Sequence, residues 1–439
     1  MESGNSGQAL YRKAKRMIPG GTQLFSKRAE VILPELWPVY YSRSSGAEIW
    51  DLDGRCYLDM SYMGIGACVL GYADPDVNAA VEEAIHAGSL STLNCPEEVA
   101  LAELLCELHP WAGMVRYART GGEAMAMAVR IARAHTRRDK IVFCGYHGWH
   151  DWYLAANLGE GNALDGHLLP GLQPAGVPRA LRGTAFPFRY NHIEELKSLV
   201  SCHRDEIAAV VMEPVRNYEP SPGFLENVRE IAHSIGAVLI FDEVSAAWRL
   251  TTGGAHLVYG VNPDLAVFSK AMSNGYPMAA VIGVGTVMNA AQDSFISSTY
   301  WTDRIGPAAA LATIRKHRRC RVPEHLIRIG ERIRTGWQRA AERAGLRIEV
   351  SGIAPLGHFE FSYENGLAVR TLFTQLMLER GILATNAFYA SYAHRDEHVE
   401  RYLAAAEESF RFIAEALRSG EIEKRLKGPV AHAGFRRLT

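Results

Sequence analysis

Six short apolar segments recur along the middle of the chain, and they constrain the fold more than any other feature of the sequence. Helical patterns lie between several of them, as at residues 122–135 and 224–235. Nearly continuous apolar strands that alternate with helices are typical of a mostly parallel sheet covered on both faces. The segments are MVRYAR from residue 114, KIVFC from 140, IAAVVM from 207, AVLIF from 237, LAVF from 265 and AAVIGV from 279. The sequence therefore predicts a large α/β domain in the centre of the chain.

The two ends of the chain have a different pattern, which predicts a second, smaller domain. Residues 47–60 indicate a β-hairpin, because two apolar stretches flank the tight-turn pair Asp53-Gly54. After about residue 307 the pattern becomes strongly helical, and it includes a long amphipathic helix at 396–418. The predicted segments are 71–310 for the large domain, and 1–70 and 311–439 for the small domain.

The composition disfavours several classes of function. The 439 residues are 48% hydrophobic and 22% charged, with a formal net charge of −1. Such a balance gives no overall basic field for nucleic acid or an anionic membrane, and no apolar run approaches the roughly 20 residues of a membrane helix. The seven cysteines are odd in number and form no CxxC pair, so we expect neither a disulfide framework nor a zinc ribbon. Together with the absence of an apolar stretch at the start, this predicts a cytoplasmic protein.

Polar residues and glycines directly follow five of the six apolar segments. Ligands of open α/β sheets bind outside the carboxyl ends of the strands, so these positions are the candidates for a site. They are Thr120-Gly121-Gly122-Glu123, Gly145-Tyr146-His147, Glu213-Pro214, Asp242-Glu243-Val244 and Ser269-Lys270.

Four of these positions carry groups that one cofactor would use. The Gly121-Gly122 turn opens a helix and offers bare amides to a phosphate. Asp242 would be poorly solvated, Tyr146 could cover a flat ligand, and Lys270 at a strand end could act as a nucleophile. Each group alone also fits an ordinary turn, salt bridge, packing contact or solvated lysine. Together they fit pyridoxal 5′-phosphate, which needs a lysine for its Schiff base and a carboxylate for its pyridinium nitrogen.

With these positions in view, the chain resembles the class-III pyridoxal-phosphate aminotransferases, particularly their glutamate-1-semialdehyde aminomutase-like branch. The resemblance covers about residues 16–410 and implies a fold type I transferase, with a mostly parallel mixed sheet covered by helices and a smaller α+β domain. It implies an aminotransferase that passes an amino group from a donor to a carbonyl acceptor in two half-reactions. The matching stretches are IWDLDGRCYLDM, VRYARTGGEAMAMAVRIAR, GYHGWHD, VVMEPV, LIFDEV and PDLAVFSKAMSNGYP.

The resemblance also implies a role for each matching position around the ring of the cofactor. Lys270 would form the Schiff base and move a proton between substrate and cofactor. Asp242 would pair with the pyridine nitrogen. Val244 would pack under the ring and Tyr146 over it, and Glu213 would lie near its phenolic side.

The phosphate would be held by two chains, which implies a homodimer. The amides around Gly121 and Gly122 would hold it from one subunit, and Thr299 would lend a hydroxyl from the partner subunit. Two departures from the family pattern bear on this site. The turn at 120–122 reads Thr-Gly-Gly where the family has Ser-Gly-Thr, so one hydroxyl donor is missing. Residues 216–218 read Arg-Asn-Tyr where the family has Gly-Asn after its Glu-Pro.

The substrate is predicted to be a small amino or keto compound that carries a carboxylate. Lys27 and Arg28 lie near the place where the aminomutase-like branch supplies an arginine, although both also fit plain surface charges. Residues 62–64 replace the tryptophan-bearing turn of the aminomutases, so substrate choice is expected to differ. A glutamate-1-semialdehyde 2,1-aminomutase and an amino-sugar precursor transaminase remain alternatives.

Three further interpretations stay open from the sequence. His147 and His150 have a spacing that can bind zinc, but no third ligand cluster accompanies them, and we predict no metal. The stretch GIGACVLG at 64–71 is not the GxGxxG of a nicotinamide enzyme. The third interpretation is a catalytically silent homologue that serves as a binding module. The presence of both Lys270 and Asp242 argues against it.

Overall fold

The computed structural model describes residues 5–159, 161–167 and 170–435. The chain divides into two compact units: a small one of Met1–Asp74 with Glu324–Thr439, and a large one of Pro75–Pro323. The strands are β1 (Tyr41–Ser45), β2 (Glu48–Asp51), β3 (Cys56–Asp59), β4 (Met114–Ala118), β5 (Lys140–Cys144), β6 (Ala185–Pro187), β7 (Ile207–Met212), β8 (Val238–Asp242), β9 (Leu265–Phe268), β10 (Ala279–Gly283), β11 (Ile348–Ser351), β12 (Leu356–Phe361), β13 (Ile382–Leu383) and β14 (Ala387–Tyr389).

Helices connect most of these strands. They are α1 (Ser6–Lys15), α2 (Ala29–Ile32), α3 (Pro75–Ala87), α4 (Pro96–Leu108), α5 (Gly121–Thr136), α6 (Asp151–Leu154), α7 (Ile193–His203), α8 (Phe224–Ser234), α9 (His256–Tyr259), α10 (Gly285–Met288), α11 (Ile305–Arg319), α12 (Val322–Ala344), α13 (Gly366–Glu379) and α14 (Asp396–Arg418). Within the described ranges, no helix is long and apolar enough to cross a membrane.

The large unit is built on one seven-stranded sheet in the order β4-β10-β9-β8-β7-β5-β6. Strands β6, β5, β7, β8 and β9 are parallel, and β10 runs antiparallel to both β9 and β4. The predicted mostly parallel mixed sheet is therefore confirmed. Since β4 has the same direction as the five parallel strands, six carboxyl ends meet at one edge of the sheet.

Side chains of the central strands alternate between two buried clusters, one on each face of this sheet. In β8, Val238 and Ile240 join the cluster that α5 covers, whereas Leu239 and Phe241 join the cluster that α7 and α8 cover. A strand that is buried on both faces must be apolar at every position, which explains the continuous apolar run in the sequence. The polar groups of the large unit are consequently displaced to the strand ends.

The small unit contains two sheets of its own. One has the order β1-β2-β3-β13 and the other β11-β12-β14. The predicted hairpin is formed by β2 and β3, and Gly54 in its turn has a φ of 79°, a conformation that glycine adopts without strain. The Asp51 carboxylate closes the turn by accepting hydrogen bonds from the amides of Asp53 and Arg55, each at 2.9 Å.

Candidate active site

Five strands of the large unit deliver most of the predicted site residues to the same edge of the sheet. The positions are Gly121 and Gly122 after β4, Tyr146 after β5, Glu213 after β7, Asp242 at the end of β8 with Val244 beyond it, and Lys270 after β9. Thr299 does not follow one of these strands and lies on an exposed turn of 3-10 helix at Thr299–Thr302.

Lys270 is the partly buried amine of this site. Its Nζ donates a hydrogen bond to Ser245 Oγ at 2.7 Å. Its pKa is lowered to about 8, first by burial and then by the nearby Arg216 cation, while the carboxylates of Glu213 and Asp242 act against this shift. A substantial fraction of the amine is therefore neutral near physiological pH, as a nucleophile or proton acceptor requires.

Asp242 is only 4% exposed and is held from two sides. Its Oδ1 accepts a hydrogen bond from the Val244 amide at 3.0 Å, and its Oδ2 lies 2.8 Å from Nδ1 of His147. His147 is buried as well, and its Nε2 lies 3.0 Å from the Cys144 carbonyl. A carbonyl can only accept, so Nε2 carries a hydrogen, and a second hydrogen is shared between Nδ1 and Asp242. The histidine thus orients a buried carboxylate whose charge it can balance.

Glu213 and Arg216 form an ion pair beside Lys270. Glu213 Oε1 lies 3.1 Å from an Nη of Arg216, and both side chains are largely buried. Burial raises the pKa of Glu213, and the Asp242 carboxylate raises it too, while Arg216, His147 and Lys270 lower it. Arg216 therefore places a cation near the Lys270 amine in a weakly solvated setting.

The turn before α5 has a capping box that does not involve the amides of Gly121 and Gly122. Thr120 and Glu123 form a capping box, in which the Glu123 carboxylate accepts from the Thr120 amide at 3.0 Å and the Thr120 hydroxyl accepts from the Glu123 amide. The box does not use the amides of Gly121 and Gly122, the first two of a 16-residue helix. A Cβ at Gly121 would lie 2.9 Å from Cγ1 of Val244, so the turn packs directly on that side chain.

Tyr146 lies partly buried at the same edge. Its ring meets Tyr153 edge to face, with centroids 5.7 Å apart. Burial raises the pKa of its phenol, and Asp242 and Arg216 act on it with opposite signs. The phenol is therefore close to the charged groups of the site.

Sequence reasoning missed three partners in this site: His147 as the support of Asp242, Ser245 as the acceptor for Lys270, and Arg216 as a neighbouring cation. The sequence spacing of His147 and His150 indicates no role for His147 other than that of a zinc ligand. In the part of the chain that the structure describes, no group of three or more His, Cys, Asp or Glu residues could hold a metal ion. The pairing with Asp242 spans β7, which separates β5 from β8, and a motif in one segment cannot indicate that.

A family model described as aminotransferase class-III matches residues 34–403. The chain belongs to the class-III aminotransferases. It is 29% identical over 424 residues to 3-aminobutyryl-CoA aminotransferase of Cloacimonas acidaminovorans, with 93% of this chain and 97% of the relative covered. It is 33% identical over 427 residues to glutamate-1-semialdehyde 2,1-aminomutase of Desulforudis audaxviator, covering 92% and 97%. The structure of the FumI protein of Sphingopyxis with bound pyridoxal phosphate superposes with a TM-score of 0.86 at 27% identity, covering 95% and 98%.

This class-III aminotransferase is an enzyme that uses pyridoxal 5′-phosphate for transamination, as predicted from the sequence. The site fits that cofactor on structural grounds. Its unused amides at the start of α5 suit a phosphate, its buried Asp242 suits a cationic ring nitrogen, and its Lys270 amine has a depressed pKa.

Proposed function

We propose that the enzyme transfers an amino group between an amino donor and a carbonyl acceptor, with Lys270 as the residue that holds the cofactor covalently and moves the proton. The observation that carries this is the pairing of a low-pKa amine at the end of β9 with a buried, His147-supported carboxylate at the end of β8. When bound, pyridoxal phosphate supplies the carbonyl that takes up the amino group and a ring that accepts electrons.

The protein itself supplies the proton transfer, the charge at the ring and the contacts that hold the cofactor. Lys270, held by Ser245, accepts and returns a proton at the substrate carbon. Asp242 keeps a negative charge at the ring nitrogen, and His147 fixes its orientation. Gly121 and Gly122 would hold the phosphate with their amides. Further contacts to the ring are proposed for Tyr146 on one face, Val244 on the other and Glu213 near the phenolic side.

Lys270→Ala tests the assignment. Borohydride reduction of the native enzyme should attach the cofactor to the peptide that contains Lys270, as peptide mass spectrometry would show, and the variant should lose both this label and turnover. Lys197→Ala is a matched control, because Lys197 lies on the surface of the same unit and pairs with Glu194 at 2.7 Å. A label on another lysine, or turnover that survives in Lys270→Ala, would sink the proposal.

We also propose that the enzyme is a cytoplasmic homodimer in which Thr299 reaches the phosphate bound by the partner subunit. Large apolar side chains near Thr299 support an interface: Phe295 is 89% exposed and Tyr300 is 71% exposed. Leu93, 81% exposed, lies on a neighbouring loop that is joined to this segment by the bond from the Arg304 amide to the Ser89 carbonyl at 2.9 Å. All seven cysteines are free, which fits a reducing compartment.

For the substrate we propose an amino or keto compound with a carboxylate. The Arg216 cation near Lys270 supports this, and Lys27 and Arg28 remain candidate cations of the small unit. The relatives act on 3-aminobutyryl-CoA and glutamate-1-semialdehyde by their names, and another, 32% identical, is a 2′-deamino-2′-hydroxyneamine transaminase of Streptomyces kanamyceticus. A screen of donors with and without an acceptor separates the options, because an aminomutase needs no second substrate, whereas a transaminase stops after one half-reaction.

A further inference from the structure

The side chain of His150 occupies the space beside Gly122, at the start of α5. A Cβ on Gly122 would lie 2.9 Å from Cε1 of His150 and 3.1 Å from its Nδ1. Gly148 packs on the same glycine, since its own Cβ would lie 3.4 Å from the Gly122 Cα. The Nδ1–Cε1 edge of the imidazole therefore faces the first turn of the helix, where residue 122 has no side chain.

His150 has an unused polar atom at that place. Its Nδ1 is buried, and within the described part of the chain it has no hydrogen-bond partner. Such orphaned groups are costly in a folded protein and call for a partner. The Trp149 indole stacks on the ring, with centroids 4.4 Å apart at an angle of 25°, and holds its plane.

The turn itself is short of side-chain donors. The Thr120 hydroxyl lies 3.0 Å from the Glu123 carboxylate, and glycine follows at positions 121 and 122. This turn would therefore offer a phosphate only backbone amides as hydrogen-bond donors. Burial lowers the pKa of His150, with Glu123 and Asp151 opposing the shift, and a neutral imidazole can still donate one hydrogen from Nδ1.

We infer that His150 is a phosphate-binding residue of this enzyme, donating from Nδ1 to the cofactor phosphate in place of the side-chain hydroxyl that residue 122 cannot supply. The inference rests on the proposed function, because it assumes that the Gly121-Gly122 turn holds that phosphate. A phosphate-binding role can be distinguished from a packing role. If His150 binds the phosphate, its contribution to cofactor affinity should require both the phosphate group and a hydrogen-bond donor at residue 150.

Two nearly isosteric variants separate these roles. His150→Asn places an amide nitrogen where Nδ1 stands, whereas His150→Leu fills the same space without a donor. Binding of pyridoxal phosphate and of pyridoxal, which lacks the phosphate, would be measured by equilibrium dialysis against each cofactor-free protein. We expect His150→Leu to weaken pyridoxal-phosphate binding by about tenfold to a hundredfold and pyridoxal binding far less, and His150→Asn to keep most of the affinity.

Equal ratios of pyridoxal-phosphate to pyridoxal affinity in the native and His150→Leu proteins would overturn the inference. An equal loss in His150→Asn and His150→Leu would overturn it as well. If the native protein bound neither compound, the proposed function itself would fail, which is a separate outcome.

A second pair of variants tests the same role of His150 if His150→Leu does not fold. His150→Ala removes the ring that would clash with a side chain at residue 122. Adding Gly122→Thr to it then offers a hydroxyl from the helix start. The inference expects the double variant to recover the preference for pyridoxal phosphate that His150→Ala loses, and no recovery would count against it.

Discussion

The Arg216 cation lowers the pKa of the Lys270 amine, whereas the carboxylates of Glu213 and Asp242 raise it. Arg216→Gln removes a cation that lowers the pKa of Lys270, so this pKa should rise from about 8 toward the ordinary value for lysine. The neutral amine would then appear only at higher pH. The measurement is the rate at which Lys270 is acetylated in cofactor-free protein as a function of pH, read by mass spectrometry. The midpoint should move to higher pH.

Arg229→Gln is the control for this change, because Arg229 lies exposed on the same unit and contacts the Asn262 carbonyl at 3.0 Å. It should leave the midpoint in place. A midpoint that stays fixed or falls in Arg216→Gln would show that the cation does not act on the amine.

Asp242→Asn keeps the size of a buried side chain and removes its charge. The variant keeps both Lys270 and the turn at Gly121, so the cofactor should still bind. A neutral ring nitrogen stabilises a carbanion poorly, and we expect turnover to fall by at least about two orders of magnitude, as for a lost charge-assisted interaction of ~3 kcal/mol. Steady-state kinetics at saturating cofactor would measure it. Turnover near the native rate would contradict this role for Asp242 and make Glu213 the carboxylate to test next.

The sequence predicted which residues follow the strands, but not how they pair. Lys270, Asp242 and Glu213 each follow an apolar run, so their place at one edge follows from the sheet alone. The contact between His147 and Asp242 depends on β5, β7 and β8 being neighbours in that order, and the Lys270–Ser245 contact depends on the loop after β8. Such pairings are tertiary, and the local pattern carries no information on them.

At the scale of elements, prediction worked where burial dictates the sequence. The segment KIVFC became β5 at Lys140–Cys144, and the amphipathic pattern at 396–418 became α14. Strand β6 was missed because it has only three residues and includes Pro187, so it shows neither a long apolar run nor a clean alternation.

The capping box of α5 stabilises the helix that begins with the Gly121-Gly122 turn, the proposed phosphate site. Thr120→Ala removes the acceptor for the Glu123 amide, and it should lower the free energy of unfolding by about 1 kcal/mol. Thr120→Ser keeps the hydroxyl and should be nearly neutral. Urea denaturation of the cofactor-free proteins would compare them. Equal losses in both variants would mean that the methyl group, rather than the cap, stabilises this turn.

At the scale of the whole molecule, the position of Thr299 raises the question of which chain it serves. It is exposed, and its carbonyl accepts from the Thr302 hydroxyl at 2.9 Å. Arg119, directly before the Thr120-Gly121-Gly122 turn, pairs with Asp303 and donates to the Trp301 carbonyl at 2.9 Å, so the segment that carries Thr299 is anchored to its own chain beside that turn. Whether Thr299 completes the site of its own chain or that of the partner in the proposed homodimer is therefore the point to test.

Subunit mixing tests the shared site directly. Lys270→Ala should be inactive, and Thr299→Ala should retain the cofactor weakly, so each homodimer has two defective sites. In a mixed dimer, one site combines the intact Lys270 of one chain with the intact Thr299 of the other. Mixing equal amounts under exchange should therefore restore about a quarter of the native sites, because half the dimers are mixed and each has one good site. The readout is activity at limiting pyridoxal phosphate, with sedimentation to establish exchange. If Thr299 served its own chain, every site would keep one substitution and exchange would restore nothing.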